Sequence, residues 1–506
     1  MQQITSLGVD QVRISVIWAA VAPNPTSFTK PSFDATDPNA YPAGAWDRYD
    51  TLVRDAAQDG ISVMFDVTSP APYWGATKRA PSGSGFQKNY SPSPALFAQF
   101  VQAVGRRYNG QFVAPAAPPP PPPPSFLGLP IDLSRLFGNP PIPANPNPLP
   151  AVHAWEIWNE PNIGGWLTPQ WRYAGHGHWL EAAPATYRSI VDGAFTALQS
   201  TGHSSDEILI GETAARGVTR DCEGCSMRPM QFVRALYCVN SASRPLTGTR
   251  ARQLGCPTSR QRSAFVSAHP GLFNATGYGH HPYSFTMRPN ANDPDPNDVP
   301  LMDLSRLERA LNAIFAGYHR PRSSNLPLYL TEYGYKSNPP NPYATFSQAQ
   351  QAAFINQGEY MAWLDPRVQT SAQFLLVDDA PKAAAAAGTP SYWSTFQTGL
   401  VTQQGAQKPA FGAYRVPIFL PDARHGHRVL VWGHLRPARR GSTQTATIQF
   451  APRGSTAFTT LASVQTANPE GFLSGHVTFP SAGAARIAWT DPATGAADHS
   501  RAATVS

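Results

Sequence analysis

The stretch Trp155-Glu-Ile-Trp-Asn-Glu-Pro-Asn162 is the most informative part of this 506-residue chain. Residues 155–158 predict a buried strand. The strand leads directly into Glu160, a carboxylate held between Asn159 and Pro161. Packing explains this pattern poorly, because a carboxylate is rarely buried without a partner and a proline removes a donor from a strand. A functional site at the mouth of a parallel barrel explains it better.

The octapeptide resembles the acid/base strand of clan A glycoside hydrolases, the (β/α)8-barrel enzymes that include families 5 and 39. The resemblance implies that Glu160 is the general acid/base and that Asn159 binds the sugar 2-hydroxyl. Hydrolysis with retention of configuration needs a second carboxylate, which attacks the sugar carbon.

The second carboxylate is expected in Leu326-Pro-Leu-Tyr-Leu-Thr-Glu-Tyr-Gly-Tyr335. Residues 328–331 predict a short strand buried on both faces, and the strand again ends in a glutamate. This segment resembles the nucleophile strand of the clan, so Glu332 is assigned as the nucleophile. The alternative is that Glu160 and Glu332 are both structural carboxylates.

Two further segments resemble parts of the clan's site. In Tyr278-Gly-His-His-Pro-Tyr283, Tyr283 would donate a hydrogen bond to the nucleophile and His281 would contact the substrate. Metal binding by His280 and His281 is the rival interpretation, disfavoured because the sequence shows no acidic partner nearby; no cofactor is expected. Arg13 would point into the barrel near Glu332 and keep that carboxylate charged. An ordinary surface ion pair is the alternative for Arg13.

Aromatic and acidic residues near predicted strand ends are candidates for binding sugar. Sugars stack on aromatic rings, so Trp393, Trp74 and Trp18 are expected to line subsites, although tryptophan is also a common core residue. Glu212 and Asp378 are candidates for binding sugar hydroxyls. Glu156 lies four residues before Glu160 and is expected to be paired structurally, deeper in the barrel.

The alternation of strand-like and helical segments predicts a TIM (β/α)8 barrel. A closed barrel has eight strands. Seven are predicted, at Gln11 to Ile17, Ile61 to Val67, Val152 to Trp158, Ile208 to Gly211, Ala275 to Gly279, Leu328 to Thr331 and Gln373 to Val377. Aligned on the clan pattern, the missing element is strand one. We therefore expect an N-terminally truncated chain, whose full form carries strand one and an export signal; closure by a strand from elsewhere is the alternative.

Residues 111–150 form a proline-rich insert with seven consecutive prolines, 118–124. Because it joins a helix to the next strand, we expect a surface loop on the bottom face, far from Glu160; a docking ligand for an aromatic groove is the alternative. The barrel domain is predicted to span residues 1–416. Short alternating runs predict a β-sandwich at 417–506. With only Trp432 and Trp489 as tryptophans, a structural appendage is favoured over a carbohydrate-binding module.

The four cysteines fall within one segment, with spacing Cys222-x2-Cys225-x12-Cys238-x17-Cys256. An even number in one loop favours disulfides and an oxidising, extracellular or cell-surface location. Cys222 with Cys225 and Cys238 with Cys256 is the favoured pairing, although three connectivities are possible. A four-cysteine zinc site is the rival.

Composition narrows the class of partner. The net charge of +7 comes from 39 basic and 32 acidic residues, and the arginines are scattered, which gives little support to nucleic-acid binding. No apolar stretch is long enough for a membrane span, and a monomer is expected. The sequence thus predicts a retaining O-glycoside hydrolase that acts on oligo- or polysaccharides. The form of the octapeptide and the length of the loops favour family 39 or a relative, with xylose- or arabinose-type sugars. A non-catalytic carbohydrate-binding protein and a transglycosylase are the alternatives.

Overall fold

A computed structural model describes residues 1–115, 125–126, 129–130, 147–257, 262–320, 326–438, 442–492 and 494–506. Within these residues, seven parallel strands form the central sheet. They are β1 Gln11–Ile17, β2 Ser62–Thr68, β3 Ala154–Ile157, β4 Glu207–Ala214, β5 Gly277–His281, β6 Leu328–Tyr333 and β7 Val368–Gln373. Each strand pairs with the next one along this series, which is the order of a (β/α)8 barrel with one strand fewer in the described residues.

Helices occupy the connections between these strands. The α-helices are Gln2–Ser6, Trp18–Val21, Asp47–Gln58, Pro94–Arg107, Ala183–Ser200, Pro229–Leu236, Gly248–Gln253, Arg262–Ala268, Pro270–Asn274, Leu304–Gly317, Gln348–Leu364 and Pro409–Arg415. Local sequence fixes several starts. The hydroxyl of Ser93 accepts from the Leu96 backbone N–H ahead of Pro94, and Ser347 forms a capping box with Gln350.

The sheet curls around its inward-facing polar residues. In a flat sheet, β1 and β6 would lie roughly 24 Å apart, because neighbouring strands are separated by ~4.8 Å. Instead, Arg13 on β1 lies 2.8 Å from Glu332 on β6. The strands β3, β5 and β6 are buried along their whole length, as expected for a parallel sheet covered by helices.

Six of the seven predicted strands are confirmed to within a few residues. The last prediction was wrong, because β7 ends at Gln373 rather than beginning there. β7 has a single neighbour in the sheet and is mostly half-buried, so it carries polar residues and has a weak strand signal. The apolar run 374–377 attracted the prediction, yet it follows the strand, and Val377 is 41% exposed.

The C-terminal region forms two small antiparallel sheets, with three and five strands. Their strands are Ile418–Phe419, Arg428–His434, Gln444–Pro452, Thr459–Thr466, Phe472–Thr478, Gly483–Thr490, Ala497–His499 and Ala503–Val505. A separate apolar core runs from Val416 to Val505, which supports the proposed boundary between residues 416 and 417. Trp432 and Trp489 are both buried, so neither offers a stacking surface.

The helix Gln348–Leu364 carries the contact between the barrel and the antiparallel sheets. Glu359 on this helix lies 2.8 Å from the guanidinium of Arg436. The ring of Tyr360 contacts Trp432 edge-on, with 5.5 Å between ring centroids. Polar and aromatic contacts along this helix join the two parts, together with the ion pair between Arg415 and Asp498 at 3.2 Å.

The consecutive prolines 118–124 lie outside the described residues. Both ends of the insert are described, and the backbone N–H of Leu149 donates to the Phe112 carbonyl at 2.8 Å. This bond lies just ahead of β3, at the opposite end of the strand from Glu160. It supports the predicted bottom-face position, which stays a prediction, as does the docking role. Within the insert, Ser125–Phe126 and Leu129–Pro130 pair as two short antiparallel strands.

Both predicted disulfides are confirmed, Cys222 with Cys225 and Cys238 with Cys256. The zinc alternative is thereby excluded, because all four thiols are used. In the described part of the chain, none of the helices combines the length and apolarity needed to cross a bilayer.

Candidate active site

The two predicted catalytic glutamates meet at the carboxyl edge of the sheet. Glu160 follows β3 and Glu332 lies near the end of β6. One oxygen of each carboxylate and one ring nitrogen of His281 all lie within 4.8 Å of one another. Glu160 is the more accessible of the two, with a side chain 17% exposed against 9% for Glu332.

Glu332 is held by two donors. Nη1 of Arg13 lies 2.8 Å from its Oε1, and the hydroxyl of Tyr283 donates to its Oε2 at 2.9 Å. Burial, reinforced by the charge of Glu332, raises the pKa of Tyr283 well above its usual value. Tyr283 therefore keeps its proton and remains a donor, and Glu332 is fixed as a hydrogen-bonded carboxylate.

Glu160 is positioned by its backbone as well as its side chain. Its φ of 39° is in the left-handed region, which a non-glycine residue rarely adopts. Its backbone N–H donates to the carbonyl of Glu212 at 2.9 Å, which ties the end of β3 to β4. Nδ1 of His281 donates to the Glu160 Oε1 at 3.0 Å. Strained backbone of this kind persists where the surroundings enforce it, commonly at functional sites.

His281 is fully buried between carboxylates. Its Nδ1 faces Glu160, and its Nε2 lies 3.2 Å from Glu212 Oε2. Burial opposes its charged form, but Glu332, Glu160 and Glu212 together raise the pKa of His281 well above its usual value. The imidazolium therefore donates from both nitrogens. The predicted contact of His281 with substrate stays a prediction, since such a contact would replace one of these bonds.

The expected lack of acidic partners near the histidines was wrong for His281, because Glu160 and Glu332 lie beside it. The charge of His281 opposes metal binding, because an imidazolium that donates from both nitrogens has no free lone pair for a metal ion. His280 is equally engaged, since Nε2 donates to the Val299 carbonyl at 2.7 Å and Nδ1 faces the Thr213 hydroxyl at 2.9 Å. Burial lowers the pKa of His280 to about 4, so it is neutral and structural.

Arg13 is the central cation of the site. Its Nε lies 2.5 Å from Glu156 Oε2 and its Nη2 donates to Asn159 Oδ1 at 3.0 Å, while Asp66 and Glu212 lie at 3.5 and 3.8 Å. Burial would lower the pKa of Arg13, but the surrounding carboxylates raise it well above its usual value. Burial raises the pKa of Glu156 well above its ordinary range, and that of Asp66 to about 6. Glu156 is thus paired deep in the barrel, as expected.

The expected binding of sugar hydroxyls by Glu212 and Asp378 was wrong. Glu212 is fully buried, where its Oε2 accepts from the Thr331 hydroxyl at 2.6 Å and from His281. Asp378 is 4% exposed and pairs with Nζ of Lys408 at 2.6 Å. Both carboxylates serve the structure of the barrel.

Two of the three predicted aromatic platforms were also wrong. Trp18 is completely buried and packs against Trp74, Phe97 and Phe100. Trp74 is 5% exposed, and its Nε1 donates to the Pro23 carbonyl at 2.9 Å. Trp393 is half-buried against Tyr392, and its role stays a prediction.

Sequence reasoning missed three residues at this site. Asp66 is an acidic residue inside the otherwise apolar strand β2, which was the available signal. Phe285 and Phe396 are exposed rings whose centroids lie 5.8 and 6.3 Å from that of Tyr283. Their only signal was their position in loops that follow barrel strands, where binding residues concentrate.

A disulfide loop, residues 222–227, braces the turn that follows Glu160. The backbone N–H of Met227 donates to the Asn162 carbonyl at 2.7 Å, and Asn162 Nδ2 donates back to the Met227 carbonyl at 3.0 Å. The Asn162 Oδ1 accepts from the Ala214 N–H at 2.9 Å. Asn162, the last residue of the opening octapeptide, therefore connects the turn after Glu160 to both β4 and the disulfide loop.

No family model matches the chain, and no curated protein matches it. Among solved structures it is similar to a β-glucuronidase of Bacteroides uniformis (11% identity, TM-score 0.37), over 100% of this chain and 42% of that one. It is similar to a monomeric β-xylosidase of Caulobacter crescentus (14%, TM-score 0.43), over 95% and 91% of the two chains. A β-glucosidase of Thermotoga maritima is similar at 13% and TM-score 0.41, over 82% and 84%. TM-scores in this range do not define a function, which has to follow from the side chains of the site.

Proposed function

We propose that the protein is a retaining glycoside hydrolase, with Glu332 as the nucleophile and Glu160 as the general acid/base. One observation carries this proposal. Two glutamate side chains from different strand ends face each other with oxygens within 4.8 Å, one fixed by Arg13 and Tyr283 and the other more accessible. A pair of this kind is what double displacement at a sugar carbon requires.

The separation supports retention rather than inversion. Retaining enzymes hold their carboxyl groups ~5 to 5.5 Å apart, whereas inverting enzymes leave ~6.5 to 9.5 Å so that a water molecule fits between them and the sugar. Oxygens of Glu160 and Glu332 lie within 4.8 Å of each other, which favours the narrower arrangement.

The proposed reaction has two steps. The Glu332 carboxylate attacks the anomeric carbon while Glu160 gives its proton to the departing oxygen, which leaves a glycosyl ester on Glu332. Glu160, now a carboxylate, takes a proton from water as that water attacks the anomeric carbon and releases Glu332. Asn159, oriented by its bond to Arg13, would bind the sugar 2-hydroxyl.

The type of sugar and the cellular compartment are also proposed. The octapeptide leans toward family 39 and toward xylose- or arabinose-type sugars. Two disulfides favour an oxidising, extracellular compartment, and the carbohydrate-degrading protein would act as a monomer.

A screen of p-nitrophenyl glycosides, led by the β-xyloside and the α-arabinofuranoside, tests the activity. Glu332→Gln should lower turnover of the best substrate roughly a thousandfold or more, and Glu160→Ala should do so for substrates with poor leaving groups. Glu207 is the matched control, since it begins β4 at the opposite end of the barrel and accepts from the Tyr329 hydroxyl. Glu207→Gln should retain turnover.

Azide separates the two roles. Azide should rescue Glu160→Ala and give a glycosyl azide of retained configuration, because the nucleophile is intact. Unchanged turnover in Glu332→Gln would exclude the nucleophile assignment. Sugar binding without turnover in the unaltered protein would favour the carbohydrate-binding alternative, and transfer to an added alcohol in preference to water would favour the transglycosylase.

A further inference from the structure

Two exposed phenylalanine rings extend the candidate site away from its carboxylates. Phe285 is 45% exposed and Phe396 is 38% exposed. Their planes lie at 32° and 33° to the ring of Tyr283, so neither meets Tyr283 edge-on. Both rings thus lie beside the residue whose hydroxyl is 2.9 Å from Glu332.

Phe285 is fixed in its exposed position. Its φ of 53° is a left-handed conformation that a bulky residue adopts only where its surroundings enforce it. The guanidinium of Arg216 lies 5.2 Å from the ring centroid and is itself paired with Asp293 at 2.5 Å. The ring is therefore held open by neighbours rather than free to turn inward.

Phe396 is fixed in a similar way. Its backbone N–H donates to Asp379 Oδ2 at 3.1 Å, and its carbonyl accepts from the Asp379 N–H at 2.9 Å. The rings of Phe374 and Phe396 are perpendicular, with 5.3 Å between their centroids. Nζ of Lys336 lies 5.0 Å from the centroid of the Phe396 ring. An exposed aromatic ring with restricted freedom loses little conformational entropy when a ligand stacks on it.

We propose that Phe285 and Phe396 form a sugar-binding subsite next to the reacting one, which stacks the apolar face of a second sugar residue of the substrate. This inference rests on the proposed function and names its substrate class, a neutral oligosaccharide of at least two residues. Aromatic rings offer flat apolar surface of the kind that the C–H faces of sugars cover. The charge of Arg216 is compensated by Asp293 and that of Lys336 by the nearby Asp379, which favours an uncharged sugar over a uronic acid.

The experiment measures binding in a Glu160→Gln background, so that the ligand is not consumed. The probes are unlabelled xylo-, arabino-, cello- and mannotetraose with the matching monosaccharides, titrated calorimetrically. Phe285→Ala and Phe396→Ala should each weaken binding of the preferred tetraose about three- to tenfold and leave monosaccharide binding unchanged. Phe285→Tyr keeps the ring and should restore the affinity.

Leu461→Ala is the matched control, because Leu461 is 38% exposed on the C-terminal sheet. It should bind the tetraose like the parent. Tetraose affinity that is unchanged in both phenylalanine variants, or absent in the parent, would overturn the subsite. Weakened tetraose binding in these variants, together with no hydrolysis by the unaltered protein, would remove the proposed hydrolase and leave the subsite standing.

Discussion

Nη1 of Arg13 lies 2.8 Å from Oε1 of Glu332, although the two residues are on the first and sixth strands of the sheet. The same guanidinium reaches Glu156 through Nε and Asn159 through Nη2. One side chain therefore connects three strands and orients both the predicted nucleophile and the amide beside Glu160. The stability of the sheet and the proposed chemistry of the site therefore both depend on the guanidinium of Arg13.

Removing this cation is expected to destabilise the fold. Arg13→Met leaves Glu156 and Glu332 buried without their main partner, and loss of one member of a buried ion pair typically costs about 3–5 kcal/mol. Arg13→Lys keeps the charge but lacks the planar fork, so it should retain more stability and still lose turnover. Urea denaturation and steady-state kinetics check both variants. Wild-type stability in Arg13→Met, or full turnover in Arg13→Lys, would contradict this view.

The hydroxyl of Tyr283 is expected to contribute to turnover as well as to folding. Tyr283→Phe deletes a hydrogen bond to the Glu332 carboxylate, and bonds to charged groups are worth about 1.5–3 kcal/mol, so kcat should fall roughly ten- to a hundredfold. Tyr318→Phe is the control, because the buried Tyr318 hydroxyl donates to the Tyr237 carbonyl at 2.7 Å, away from the site. That variant should lose stability only. Equal turnover in both variants would remove the role assigned to Tyr283.

The sequence was sufficient for features that depend on local pattern. Glu160 and Glu332 each end an apolar run, and six strands were located because buried parallel strands are continuous in apolar residues. The spacing of the four cysteines favoured the observed disulfide pairing among three possible connectivities. The fold class followed from the alternation of strand-like and helical segments, whereas the pairing of the two glutamates was implied by their resemblance to the catalytic strands of the clan.

The burial of individual side chains could not be predicted from the same patterns. Glu212 and Glu160 both come after apolar runs of the sequence. Glu212 is nevertheless fully buried and Glu160 is accessible, because Gly279 on the neighbouring strand leaves room for the Glu212 carboxylate. Trp18 sits at a strand end and is covered by Phe97 and Phe100 of a helix almost eighty residues later. Such outcomes depend on which helix packs over which strand, and no local signal carries that information.

The two disulfides should have different effects. In a chain-entropy model the longer loop closed by Cys238 and Cys256 contributes about 3 kcal/mol, and the short loop of Cys222 and Cys225 about 2 kcal/mol. Only the short loop borders Asn162. Cys222→Ser with Cys225→Ser should therefore lower kcat with a modest loss of stability, whereas Cys238→Ser with Cys256→Ser should mainly lower the melting temperature. Melting curves and steady-state kinetics of the two double variants, measured in parallel, test this difference. Identical kcat values would mean that the short disulfide loop does not support the turn after Glu160.

Acid should destabilise the protein through His280. Burial lowers its folded pKa to about 4 from 6.5, so between these values the unfolded chain binds a proton that the folded protein does not. Stability therefore falls as pH drops through this window, by about 2 to 3 kcal/mol at pH 4.5. Asp66 acts in the opposite direction, because its folded pKa of about 6 lies above its ordinary 3.8.

His280→Asn removes the histidine contribution and leaves that of Asp66. The variant should be less stable than the parent at pH 7, since it loses bonds to Val299 and Thr213. It should lose less stability than the parent between pH 7 and 4.5. Denaturation curves at both pH values measure the difference, and parallel losses would mean that His280 is already charged in the folded protein.

Gly279 leaves the space that the Glu212 carboxylate occupies. A Cβ at this position would overlap Oε1 of Glu212, which has no other place to go because it is fully buried between His281 and Thr331. Gly279→Ala should therefore displace Glu212, disturb the bond from His281 to Glu160, lower kcat and destabilise the fold by about 1–3 kcal/mol through overpacking.

Gly412→Ala is the control, because a Cβ there meets nothing within 4 Å and the residue lies in the helix Pro409–Arg415. It should be neutral or stabilising by up to about 1 kcal/mol. If Gly279→Ala matched this control in both kcat and unfolding free energy, the buried Glu212–His281 pair would have no part in holding Glu160.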